Sequence, residues 1–258
     1  LPMRAGIYEA RTCLDNIGKD ITRYLQTPGR KVQPLAESSF DAWIKLYRRD
    51  ANSDNNQISY YLKGELVSLL LDLLIRKKHK NQRSMDDVLL ALWEQFGKPE
   101  IGYTDEQLKS VLESVAETDL TEFLDTYLHT TAELPLTDYL QPFGLQLIPA
   151  EEDDSSPYLG MRVAQENGST MIKFVDAQSP AGFAGIDAGD ELLAIDGIRV
   201  NADQISDRAR DYQPGDTMTL TVFHQDELIN HTITLASPQP SSYKITSIDE
   251  PSEEQKEL

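Results

Sequence analysis

The side chains of this 258-residue sequence that could do chemistry are few, and most are badly spaced for it. His79, His129, His224 and His231 are the only imidazoles, and no two stand four apart, the spacing that puts a pair on one helix face for a metal ion. His79 falls in the basic run Arg76-Lys77-Lys78-His79-Lys80 and reads as a solvated helix end, His129 as a structural residue closing a helix, and His224 and His231 as surface residues flanking a hairpin turn. Cys13 sits in an amphipathic helical pattern and reads as a small buried hydrophobe; being alone, it allows neither an internal disulfide nor a Cys-based zinc site. The adjacent carboxylates Asp86-Asp87, Glu151-Glu152 and Asp153-Asp154 diverge on a helix or stay solvated in a linker, so they do not form acid–base pairs. Neither a Gly-x-Ser-x-Gly elbow nor a phosphate-cradling glycine loop is present. What remains is Ser59-Tyr60-Tyr61-Leu62-Lys63-Gly64. A phenol there could donate to a developing oxyanion, although a tyrosine at a helix start is also commonly a packed aromatic.

The elements around these residues follow from periodicity and capping. Apolar positions recur at helical spacing from Ile7 to Gln26 until Thr27-Pro28-Gly29 stops them, and Ser59 to about Arg76 is so apolar all round that it predicts a buried central helix headed by Tyr60 and Tyr61. Between them, the asparagine-rich segment before residue 58 predicts a loop. Capping patterns start further helices at Ser84 with Asp87, Thr104 with Gln107 and Asp119 with Glu122, and a short helix from Thr137 to Phe143 closes an all-helical region. After the acidic stretch Glu151–Pro157 the texture becomes β-rich. Strands are expected at Gly160–Ala164, Met171–Val175, Glu191–Ile195, Met218–Phe223 and Ile229–Leu235, with one helical stretch from Ala202 to Tyr212. The domain reading is a helical unit at 1–148, a linker at 149–156, a β-rich unit at 157–237 and a tail at 238–258, disordered past about Ile248.

Charge narrows the partners. Against 24 Lys and Arg stand 43 Asp and Glu, a formal charge of -19, which repels nucleic acid and anionic membrane surfaces. No apolar run is long enough to span a bilayer. Residues 1–150 carry 17 basic and 22 acidic groups while 151–258 carry 7 and 21, an asymmetry that also points to two units.

The run Ser179-Pro180-Ala181-Gly182-Phe183-Ala184-Gly185-Ile186-Asp187-Ala188-Gly189-Asp190-Glu191-Leu192-Leu193-Ala194-Ile195-Asp196-Gly197-Ile198 closely resembles the signature of PDZ domains, in the permuted order of bacterial protease-associated members. That resemblance implies that Tyr158, Leu159, Gly160 and Met161 form the loop holding a peptide's terminal carboxylate, with Gly160 letting the peptide backbone come close and the peptide extending along the following strand. The groove could equally be filled by the chain's own linker or tail, or pack on the neighbouring unit.

Tyr61-Leu62-Lys63-Gly64 resembles the Tyr-x-Lys-Gly element of gluzincin aminopeptidases. Thr27-Pro28-Gly29-Arg30, Leu35–Trp43, Arg83–Val88 and Glu133-Leu134-Pro135 resemble the glycyl aminopeptidase family of thermolysin-like zinc metallopeptidases carrying a C-terminal PDZ domain. The implied fold class is multidomain α plus β, the helical part of a peptidase domain followed by a PDZ barrel or sandwich. The family's zinc ligands, His-Glu-x-x-His and a later Glu, are absent, and Arg4-Ala5-Gly6 resembles the stretch after the third ligand. The resemblance therefore implies that the chain starts mid-protein and is itself inactive, with no cofactor of its own. Zinc would lie in the parent protein's missing N-terminal part, and the parent would release N-terminal Gly or Ala. Tyr61, with Tyr60 as understudy, would stabilise the oxyanion. The alternative is a non-enzymatic PDZ-containing adaptor with a helical docking domain. A bacterial cytoplasm is expected, with the periplasm as the other compartment.

Overall fold

The computed structural model describes residues 5–150 and 156–257; Arg4 and most of the expected acidic linker lie outside the described residues. In chain order, α1 (Ala10–Leu25), α2 (Leu35–Phe40), α3 (Ser53–Asn56), α4 (Tyr60–Lys78), α5 (Met85–Leu92), α6 (Asp105–Ala116), α7 (Thr121–His129) and α8 (Leu136–Leu140) precede β1 (Leu145–Pro149). Then come β2 (Met161–Glu166), β3 (Ser169–Val175), α9 (Pro180–Phe183), β4 (Glu191–Ile195), β5 (Ile198–Arg199), α10 (Ile205–Ala209), β6 (Thr217–His224) and β7 (Glu227–Thr234), with β8 (Tyr243–Ser247) and α11 (Glu253–Glu257) at the end. The protein is a two-unit α plus β chain.

The first unit gathers the residues up to Trp43, Ile58–Pro149 and those from Ser242 on. Its core is built on α4, whose Leu66, Leu70 and Ile75 are at most 1% exposed, each worth about 1.5–3 kcal/mol by burial. The caps form as their side chains dictate: Ser84 and Thr104 each bond a backbone N–H of the first turn, while Asp87 and Gln107 reach back to the cap residue's own amide. At Asp119 the expected box does not form. The helix begins two residues later at Thr121, and the Asp119 carboxylate accepts the Thr121 N–H at 2.8 Å in an Asx turn.

Strand β8, in the stretch the sequence reading assigned to a tail, pairs antiparallel with β1 from Leu145↔Ser247 to Pro149↔Tyr243, and past Ile248, where disorder was expected, the chain forms α11. Strand β8 also crosses α1 at Gly18, where a Cβ would stand 3.2 Å from the Tyr243 carbonyl, and the Thr22 hydroxyl accepts the Tyr243 N–H at 2.8 Å.

The second unit comprises Ala150–Ser241 together with Ile44–Gln57, a segment contributed from within the helical half. Its sheet runs β2-β3-β4-β6-β7 with β5 paired to β4, so β2 is an edge strand. Ile172, Leu192, Ile195, Met218, Leu220, Val222 and Ile233 fill its core. The segment expected to be an asparagine-rich loop contains α3, and Ser53, Asn55 and Gln57 are buried.

Candidate functional site

At the head of α4, the Ser59 hydroxyl accepts the Leu62 N–H and its carbonyl accepts the Lys63 N–H, fixing the first turn. Tyr61 is 61% exposed, and the ring of half-buried Tyr60 packs against it at 4.0 Å between centroids with a 32° tilt. Both tyrosines named from sequence thus stand on one fixed turn, and Tyr61 is the one turned outward.

Two residues on, Lys63 points inward and is fully buried, donating to the Thr130 carbonyl at 3.3 Å just past the end of α7, where a cation meets the negative end of the helix. Burial pulls its pKa below the usual lysine value, against the pull of Glu133. Glu133 is paired with Arg30 at 3.2 Å; Arg30 also donates to the Thr27 carbonyl at 3.2 Å and lies 5.9 Å from the centre of the Tyr24 ring. The Tyr24 hydroxyl lies by the Leu134 backbone without a bond of acceptable geometry, and burial, reinforced by Glu133, pushes its pKa up to about 12.

Three segments quoted separately from the sequence, around Arg30, Lys63 and Glu133, therefore converge beneath Tyr61's turn. Tyr24 was missed. Its helical spacing announced only a core position, and nothing local marked its polar surroundings.

The histidines do not converge. His79 contacts the Ala116 carbonyl at 3.2 Å, His129 is exposed at the end of α7, His224 meets Asp190 at 2.7 Å and His231 meets the Ala184 carbonyl at 2.8 Å. His231 lies well along β7 rather than beside the hairpin turn, because the turn is only the pair Gln225-Asp226. Cys13 is half-buried. Among the described residues no group of three His, Cys, Asp or Glu could hold a metal ion, so the residues present do not fit a zinc site.

In the second unit, Tyr158 exchanges backbone bonds with Ala236 at 3.0 and 3.2 Å, the Leu159 carbonyl accepts Ala181 N–H at 3.0 Å, and the Gly160 carbonyl accepts Asp176 N–H at 2.8 Å. A trans peptide sets its N–H opposite its C=O, so with these carbonyls turned inward the amides of Gly160 and Met161 face the other way. The Tyr158 hydroxyl donates to Asp176 at 3.0 Å, and burial, then that carboxylate, raises its pKa. Met161 and Val163 on β2 pack with Ile205, Ala209 and Tyr212 in the same apolar cluster.

Gly160 itself has a different reason from the one expected. Its φ is +83°, and an added Cβ would stand 1.9 Å from the Ser179 Cβ. The room it leaves is filled by Ser179.

The edge strand, helix and inward-bonded loop of the second unit lie within residues 157–235, which match the PDZ domain family. Residues 1–67, which include Tyr60 to Gly64, match the M61 glycyl aminopeptidase family. Among solved structures, an aminopeptidase N family protein from Idiomarina loihiensis is 29% identical, covering 100% of this chain and 46% of its own at a TM-score of 0.89. This chain thus spans about half the length of that relative. A serine endoprotease from Yersinia pestis is 24% identical over 33% of this chain and 30% of its own, with a TM-score of 0.30. A comparison with curated proteins gave no match. Among the described residues, no helix is long and apolar enough to cross a membrane.

Proposed function

We propose that this chain is the C-terminal part of a zinc aminopeptidase releasing small N-terminal residues, Gly or Ala, and that it contributes one polar group to the reaction and one peptide-docking groove. The observation that carries this reading is Tyr61: an outward phenol on a turn locked from below by buried Lys63, inside the segment of glycyl aminopeptidase type. Zinc, its ligands and the general base would come from residues outside this chain, which alone is inactive on this reading. The Tyr61 Oη–H donates to the oxyanion formed as water attacks the scissile carbonyl. A donor placed before charge develops stabilises the transition state without reorganisation, and the loss of one such donor costs about 10²- to 10³-fold in rate.

The PDZ unit captures a peptide terminus. The amides of Gly160 and Met161 receive the carboxylate, and the peptide adds a strand to the free edge of β2, with side chains against α10. Exposed Phe40 (89%) and Trp43 (80%) agree with a first unit that is covered by another part of a longer protein. A cytoplasmic rather than periplasmic setting belongs to the same reading. The test is to assay the full-length protein on glycyl and alanyl anilides with and without a chelator. Chelator-sensitive turnover is expected, and no turnover on either substrate would contradict the proposal.

A further inference from the structure

The segment Ile44–Gln57 belongs to the second unit, although in the sequence it lies between α2 and α4. Asp50 and Ser53 bond each other's side chains and backbone and so start the single turn of α3. From that turn the Asn55 carboxamide donates to the Val175 carbonyl at 2.8 Å and accepts the Ala177 N–H at 3.1 Å, which seats the segment against the end of β3. One residue earlier, the Asp54 carboxylate pairs with Arg162 of β2 at 2.6 Å and also with Arg49.

Arg162 faces away from the groove. Successive side chains on a strand point to opposite faces, and its neighbours Met161 and Val163 pack in the apolar cluster with Ile205, Ala209 and Tyr212. The register shift in this hairpin leaves its extra residue, Lys173, on β3, so the alternation along β2 holds. The cross-strand partner of Arg162 is Phe174, and the guanidinium lies 4.4 Å from the centre of that ring. Even so, the Arg162 side chain is 65% exposed. Its bond to Asp54 uses one terminal nitrogen of a fork of N–H donors, and among the described residues no other acceptor takes the rest.

The charge at this edge runs against that of the chain, which is -19 overall. Asp54 is one carboxylate shared by two guanidiniums. The nearby Asp176 carboxylate is occupied by the Tyr158 hydroxyl at 3.0 Å and the Gln178 N–H at 2.9 Å, and Lys173 is matched by Glu166 at 2.8 Å.

The loop 158–161 precedes β2, so a peptide held there by its C-terminus runs antiparallel to the strand. Its terminal residue then stands opposite Met161 and its penultimate residue opposite Arg162. Alternation turns the terminal side chain into the apolar groove and the penultimate one to the face of Arg162, with opposed Cβ atoms about 5 Å apart.

We propose that Arg162, held by Asp54 and stacked on Phe174, is a specificity-determining residue of the β2 groove and selects peptide termini whose penultimate residue is acidic. This rests on the peptide-capture reading above and adds the chemistry of the ligand. A penultimate Asp or Glu takes the donors that Asp54 leaves unused. A penultimate Lys or Arg meets a like charge directly across the strand pair, which is destabilising.

The affinity of the whole chain for three hexapeptides tests it. Each has a free C-terminal carboxylate and ends in Val, and they differ only in a penultimate Glu, Gln or Lys; an amidated copy of the Glu peptide is the control. Glu should bind about 5-fold more tightly than Lys, as an exposed ion pair set against a repulsion gives, with Gln between them and the gap closing at high salt. In Arg162→Gln the gap should shrink below about 2-fold, and in Asp54→Asn, which removes the competing carboxylate, it should widen. Should Arg162→Gln fail to fold, Asp54→Asn decides, and a gap that does not widen overturns the proposal. Equal binding of all three peptides by the native chain overturns the role of Arg162 and spares peptide capture. A gap undiminished in Arg162→Gln overturns that role as well. No binding of any of the three, or equal binding of the amidated copy, overturns terminus capture and the proposal with it.

Discussion

Gly160 and Tyr61 show how differently single residues reveal themselves. A glycine in a loop read from sequence as terminus-binding suggests room for a ligand, but the atoms that a Cβ there would meet belong to Ser179, nineteen positions away at the cap of α9. Gly160→Ala should therefore destabilise the PDZ unit by about 1–3 kcal/mol, through the strained φ and the clash with Ser179, before any peptide is added. Urea unfolding followed in that unit reads it, and an unchanged midpoint would refute the stated packing. Tyr61 was visible because Tyr-x-Lys-Gly is a local motif. The roles of Lys63, Arg30 and Glu133 beneath it were not, because their meeting depends on three segments separated by up to 103 residues.

Elements with strong local signals formed where the sequence put them. Helix α4 declared itself by an apolar run and a serine cap, and α5 and α6 by reciprocal caps. What failed had no local cause. β8 is composed like a solvated tail and becomes a strand only because β1 supplies its ladder and α1 presents Gly18 and Thr22 to its backbone. Similarly, α3 has four residues and could not persist alone; Asn55 and Asp54 hold it in place. Replacing Thr22 with Val keeps the shape and removes the acceptor for the Tyr243 N–H, so the helical unit should lose about 1 kcal/mol or more, with faster amide exchange in β8. Undiminished protection of β8 would show that the strand does not depend on α1.

Across the whole molecule, two units with separate cores share one chain that passes between them four times, at Trp43, Gln57, Pro149 and Ser241. The sequence reading set boundaries near residue 150 and at 237–238, where composition changes, whereas the crossings at Trp43 and Gln57 lie inside a stretch it assigned wholly to the helical unit. Separate cores also allow separate responses to pH. His224 is held above the ordinary imidazole value of 6.5, first by its hydrogen bond to Asp190 and then by that carboxylate's charge. A raised pKa means the folded unit binds the proton more tightly than the unfolded chain. The stabilisation is therefore complete below about 6.5 and disappears as pH rises through the raised value. Unfolding midpoints of the PDZ unit should fall over that window in the native chain and stay flat there in His224→Gln. Parallel curves for the two would exclude the pair.

The central claim, that this chain carries an oxyanion donor for a hydrolase whose metal lies elsewhere in the protein, meets its most direct test in the kinetics of Tyr61→Phe in the full-length enzyme. Removing only the hydroxyl should lower kcat on a glycyl substrate by about 10²- to 10³-fold with KM little changed. A kcat equal to that of the native enzyme would contradict it.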